Sequence, residues 1–128
     1  MSKAVMTRTI GGRKLSREEA ELVQELRTLA IDLVFYHHEI GLPKRKSDIF
    51  AILYCFIELT TPPPHEPRDI AKLVDQLIAD KLKQGTPLEE AVPYARTVYA
   101  KLLQKSFKAV KMAHLRYGTV GVTKKQKL

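Results

Sequence analysis

Residues 48–59, DIFAILYCFIEL, decide the architecture. Wound as a helix they are apolar or aromatic on nearly every side, and a helix apolar all round belongs in the middle of a bundle. The aromatic and β-branched content leaves a strand open as the alternative. Cys55 sits inside this run and is the single cysteine of the chain, so it cannot form an internal disulfide; it reads as a buried small hydrophobe.

Upstream, LSREEAELVQELRTLAIDLVFYHHEIG (residues 15–41) opens with Ser16 and Glu19 at capping-box spacing and closes at Gly41. Leu22, Leu26, Leu29 and Leu33, with Val23, Ala30 and Val34, form one broad apolar face, which predicts a long helix over 17–40. A short basic link, LPKRK, leads to Ser47 as the next expected cap. Downstream, TTPPPHEP holds four prolines between positions 62 and 67, which no helix interior tolerates. Pro67 then suits the first turn of a helix with Ile70, Leu73, Val74, Leu77, Ile78 and Leu82 on one stripe, ending at Gly85. Thr86, Pro87 and Glu89 restart the pattern, and a final helix is expected from there to Tyr117, bent near Pro93. The reading is all-α: a four-helix bundle-like domain over 16–117 with two long helices, an extended basic arm over 1–15 and a basic tail over 118–128.

At 128 residues and 45% hydrophobic content the chain holds one comfortable core. No apolar run reaches the roughly 18 residues of a transmembrane helix, and the first residues lack the apolar region of a signal peptide. The expectation is a protein made and kept inside a cell.

Charge carries the functional information. The chain has 22 Lys and Arg against 14 Asp and Glu, a net charge of +8. All the acids lie between Glu18 and Glu90, so residues 1–15 and 91–128 are acid-free. Positive charge sorted to both ends points to polyanionic partners. The candidate phosphate-contacting residues are Lys3, Arg8, Arg13 and Lys14 in the arm, and Lys44, Arg45 and Lys46 before a helix start. In KLLQKSFKAVKMAHLRYG (101–118) they are Lys101, Lys105, Lys108, Lys111 and Arg116, and in the tail Lys124, Lys125 and Lys127. On one continuous helix the five of the 101–118 stretch fall within about 140°, and Val98, Leu102, Ala109 and Ala113 are expected to pack. Lysine contacts phosphates without reading base edges, and no short recognition helix is evident, so sequence-independent binding of double-stranded DNA is expected.

Catalytic signals are sparse. GGRK lacks phosphate-loop spacing, and His37, His38, His65 and His114 make no zinc motif. A satisfied or solvent-facing histidine is the reading for each, with no enzyme activity, metal or cofactor expected.

In its acid-free start MSKAVMTRTIGGRK, its helical region and its TKKQKL end, the chain resembles the major capsid proteins of filamentous double-stranded DNA viruses of hyperthermophilic archaea, the tristromavirus group. The resemblance implies an α-helical virion subunit that pairs as a homodimer or with a related chain. It also implies polymerisation into a helical filament around the genome, with assembly in the host cytoplasm. A cellular chromatin or nucleoid-type DNA-binding protein and a helical regulator are the alternatives, sharing the charge but not the fixed symmetry.

Overall fold

A computed structural model describes residues 9–10, 13–35 and 48–122. The arm is not wholly extended: β1 (Thr9–Ile10) and β2 (Arg13–Lys14) pair antiparallel, with Thr9 opposite Lys14 and Ile10 opposite Arg13. Five helices follow, α1 (Arg17–Val34), α2 (Asp48–Thr60), α3 (Pro67–Lys83), α4 (Leu88–Leu102) and α5 (Phe107–Tyr117). The chain divides between Pro63 and Pro64 into two compact units, so the helical region falls into a pair and a trio of helices. The all-α expectation holds, with five helices among the described residues in place of four, and a four-helix bundle is not confirmed.

In the first unit α1 packs on α2. The expected capping box is present: Ser16 Oγ accepts from Glu19 N–H at 3.2 Å, and the Glu19 carboxylate accepts from Ser16 N–H at 3.0 Å. The helix ends at Val34, with Phe35 as its C-cap, and residues 36–47, including Ser47 and Gly41, lie outside the described residues. Val23, Ala30, Ile31 and Val34 are buried. Arg27 is buried too, donating from Nη2 to the Thr60 carbonyl at 2.8 Å and from Nε to Thr60 Oγ1 at 3.3 Å, which ties α1 to the last turn of α2.

Two expectations fail here. The leucines 22, 26, 29 and 33 are exposed, and α2 buries only Ile57 and Thr60 while Ile49, Ile52, Leu59 and Cys55 face outward. A single packed partner covers one side of a helix. The broad apolar face of α1 spans two rows of side chains, and α2 covers the row containing Val23, Ala30 and Val34.

In the second unit α3, α4 and α5 each pack on the other two. Pro67 takes the first helical position of α3, where a missing N–H costs nothing. Ile70, Leu73, Val74, Leu77 and Ile78 are buried as the stripe predicts, in the core shared with Ala91, Ala95, Val98 and Tyr99 of α4 and Val110 and Ala113 of α5, whereas Leu82, the last of the stripe and near the end of the helix, is exposed. Each fully buried aliphatic side chain contributes about 1.5–3 kcal/mol. Gly85, at φ 92°, ends α3 in a Schellman turn: Gly85 N–H bonds the Leu82 carbonyl and Thr86 N–H the Lys81 carbonyl. Thr86 is thereby used in the stop, and Pro87 rather than Thr86 caps α4.

The expected long final helix is two helices. Leu103 caps α4, Gln104 adopts φ 54°, and Lys105 N–H bonds the Ala100 carbonyl at 2.9 Å while Gln104 N–H bonds that of Lys101 at 3.3 Å. This is a second Schellman turn, with glutamine at the position glycine usually holds. Ser106 then caps α5, its hydroxyl accepting from Ala109 N–H at 3.1 Å.

A candidate nucleic-acid interface on the second unit

The break at 103–106 re-aims the basic stretch. Lys101 lies on the last turn of α4, Lys105 in the turn, and Lys108, Lys111 and Arg116 on α5, where a helical pitch of 3.6 residues puts those three within about 140° of one another. The continuous sector expected from sequence is therefore replaced by a helix end, a turn and a helix face. Ala113 packs inward as expected, but Ala109 is exposed and Leu102 only half-buried. All five cations are exposed, and none has an ion-pair partner among the described residues.

The reason they stand alone is where the acids go. The second unit has 13 Lys and Arg against 6 Asp and Glu, a net +7, whereas the first unit, with 9 against 8, is +1. Asp69 is occupied at the start of α3, accepting from the N–H groups of His65 (2.8 Å) and Glu66 (3.1 Å), bonds that hold its carboxyl below the ordinary value. Asp80 is buried, and Glu89 and Glu90 sit in the first turn of α4, where the helix dipole favours them.

Asp75 is the most committed. It accepts from Thr119 N–H (2.9 and 3.1 Å), the Thr119 hydroxyl (3.1 Å) and Val120 N–H (3.0 Å), and lies 3.2 Å from His114 Nε2. Burial pushes this carboxyl up, but the hydrogen bonds from His114, Val120 and Thr119 outweigh it and hold it below the ordinary range. Thr119 and Val120, the first residues of the expected tail after Gly118, are thereby fastened to the unit; residues 123–128 lie outside the described residues.

Not every cation is available. Arg96 is buried, its Nε donating to His114 Nδ1 at 2.9 Å, and burial pulls its guanidinium below the usual value. Because arginine only donates, His114 must carry its proton on Nε2, 2.8 Å from the Val120 carbonyl. Both ring nitrogens are used and the ring is fully buried, so Asp75, His114 and Arg96 form a structural network that offers no nitrogen to a substrate. Lys81 is also buried, near the Tyr94 ring and bonded to Gln84.

Beside the basic face lies a shallow groove of about 400 Å³. Ile70, Met112, Ala113 and Tyr117 line it, with Lys105 and Arg116 as its charged groups. Arg68, 5.4 Å from the Tyr117 ring centroid, adds a cation over that ring. Charge sorting missed Arg68 because it lies in the acid-containing middle of the chain, and no sequence signal brings it near Tyr117.

Of the other candidates, Lys14 is exposed on the first unit and the backbone of Arg13 lies in β2. Lys3, Arg8, Lys44, Arg45, Lys46, Lys124, Lys125 and Lys127 fall outside the described residues. Among the described residues no group of three or more His, Cys, Asp or Glu could hold a metal ion, and no helix is long and apolar enough to cross a membrane. Comparison with protein-family models, curated proteins and solved structures finds no match to the chain.

Proposed function

We propose that the chain is a structural nucleic-acid-packaging protein that binds double-stranded DNA through its phosphates without reading its sequence. The observation that carries this reading is the group of Lys101, Lys105, Lys108, Lys111 and Arg116: exposed, carried in succession by the end of α4, the turn and α5, and without an ion-pair partner among the described residues, on a unit of net charge +7. Leaving five cations without partners raises self-repulsion, and a polyanion relieves it.

The finer reading follows the resemblance: a capsid subunit of an archaeal filamentous virus, pairing and polymerising along the genome. A cellular nucleoid-type protein shares the DNA contact and differs in lacking a filament of fixed symmetry. The DNA contact is tested by a salt titration on duplexes of unrelated sequence. With about five phosphate contacts, the slope of log affinity against log salt is expected near −4 to −5 and the same for every sequence. A slope shallower than about −1, or a preference of roughly a thousandfold for one sequence, overturns the reading.

A further inference from the structure

We propose that the α1/α2 hairpin is a pairing surface for a second copy of this chain, with two hairpins closing into one four-helix bundle. This deepens the packaging reading by naming the face through which subunits pair, and it rests on the first unit, not on the basic face of the second.

On α1, Leu22, Leu26, Leu29 and Leu33 are 44–55% exposed. Their spacing of four, three and four residues is that of a heptad seam, the pattern that lets one helix insert side chains between those of another. Each lies one position before a buried residue, Val23, Arg27, Ala30 or Val34, so the stripe runs along the edge of the covered face. On α2, Ile49, Ile52 and Leu59 are 66–69% exposed and share one side of the helix. Each helix therefore has one apolar side covered by the other and a second left bare.

Seven large aliphatic side chains at this exposure amount to something close to the roughly 800 Å² per partner that a standard interface buries. Scattered surface leucines need no explanation, but a patch this size marks an interaction site. Two helices with two apolar sides each are half of a four-helix bundle, and an identical hairpin supplies the other half. The border of the patch argues against other occupants. Glu18, Glu25 and Asp32 flank the leucine stripe on one side, which disfavours nucleic acid or an anionic lipid surface. The first unit's net +1 puts little repulsion between two copies.

The test is sedimentation velocity of the full chain, free of nucleic acid, over a concentration series. A discrete mass of two chains is expected. The double variant Leu26→Gln, Leu29→Gln should weaken pairing by roughly a hundredfold or more, as for central interface residues, with an unchanged helical circular dichroism spectrum because both positions are exposed. Ile52→Gln, on the other helix, should weaken pairing in the same direction. A variant with Lys101, Lys105 and Lys108 changed to Gln should pair like the parent, so failure of the DNA reading and failure of this one are separable. A chain that stays monomeric at every concentration, including one whose hairpin is covered by its own second unit, overturns the proposal. So does open-ended growth without a dimer, or a dimer that tolerates all three hairpin substitutions.

Discussion

The buried ring of His114 on α5 and the carboxylate of Asp75 on α3 meet at 3.2 Å, and the same carboxylate holds the backbone of Thr119 and Val120. One aspartate thus closes α3, α5 and the chain leaving α5 into a single unit, and Arg96 of α4 completes it through the other ring nitrogen.

Asp75→Asn should therefore cost stability out of proportion to its size. An amide cannot accept from every donor that now meets the carboxylate, and bonds to a charged acceptor are worth about 1.5–3 kcal/mol. The loss should depend on pH. The folded carboxyl titrates below the unfolded one, so its contribution is fully present above about pH 4, the range of an unfolded aspartate, and is lost as pH falls through the folded value. Urea unfolding of parent and variant at neutral pH and near pH 3 checks this. A gap that stays constant or widens in acid contradicts it.

Gly118→Ala should destabilise the same unit by about 1–3 kcal/mol, the cost of overpacking. The backbone there is ordinary, with φ −75°, so the obstacle is steric: an added Cβ would run into the ring of His114. Gly85→Ala differs in kind. Its φ is 92° and nothing lies within 4 Å of the added carbon, so its cost comes from the left-handed backbone alone, about 1–2 kcal/mol. Thermal melts distinguish the two if Ser is also tried at each site: the larger side chain should worsen the Gly118 variant and leave the Gly85 variant nearly as Ala does.

Gln104→Gly should stabilise the protein by about 0.5–1 kcal/mol. Gln104 holds φ 54° at the C′ position of α4, a conformation glycine adopts without penalty. The side chain is exposed, so little packing is lost. A midpoint of denaturation that falls instead would mean that the glutamine makes a contact worth more than the strain.

These positions show what could be read from sequence. The caps and stops at Ser16, Pro67 and Gly85 were legible because each depends on residues within four positions of itself. So was the apolar stripe of α3, where one row of side chains is buried. The α4/α5 break was not legible: glutamine occupies the place of the expected glycine, and Leu102, Leu103, Phe107 and Val110 continue the apolar pattern across it. Ser106 was the signal available. Which leucine row of α1 is covered depends on α2, and periodicity does not choose between adjacent rows. The side-chain partners of His114, Arg96 and Asp75, lie 18 and 39 residues away, beyond any local rule.

Exposed and buried cations should respond in opposite ways. Changing Lys101, Lys105 and Lys108 to Gln removes three charges at exposed positions with no ion-pair partner among the described residues, and glutamine nearly matches lysine in helix propensity, so stability should change little. The salt slope for duplex DNA should fall in magnitude by roughly 0.9 per lost phosphate contact, or about 3 in all. Arg96→Gln should do the reverse. It leaves His114 Nδ1 buried without its donor, costing about 1–3 kcal/mol of stability, and should leave the slope unchanged under conditions where the variant is folded, because its guanidinium faces inward. Parallel salt titrations and urea melts on both variants decide the matter. If the triple variant binds with the parent's slope, those lysines are a solvated face and the polyanion must be held elsewhere on the chain.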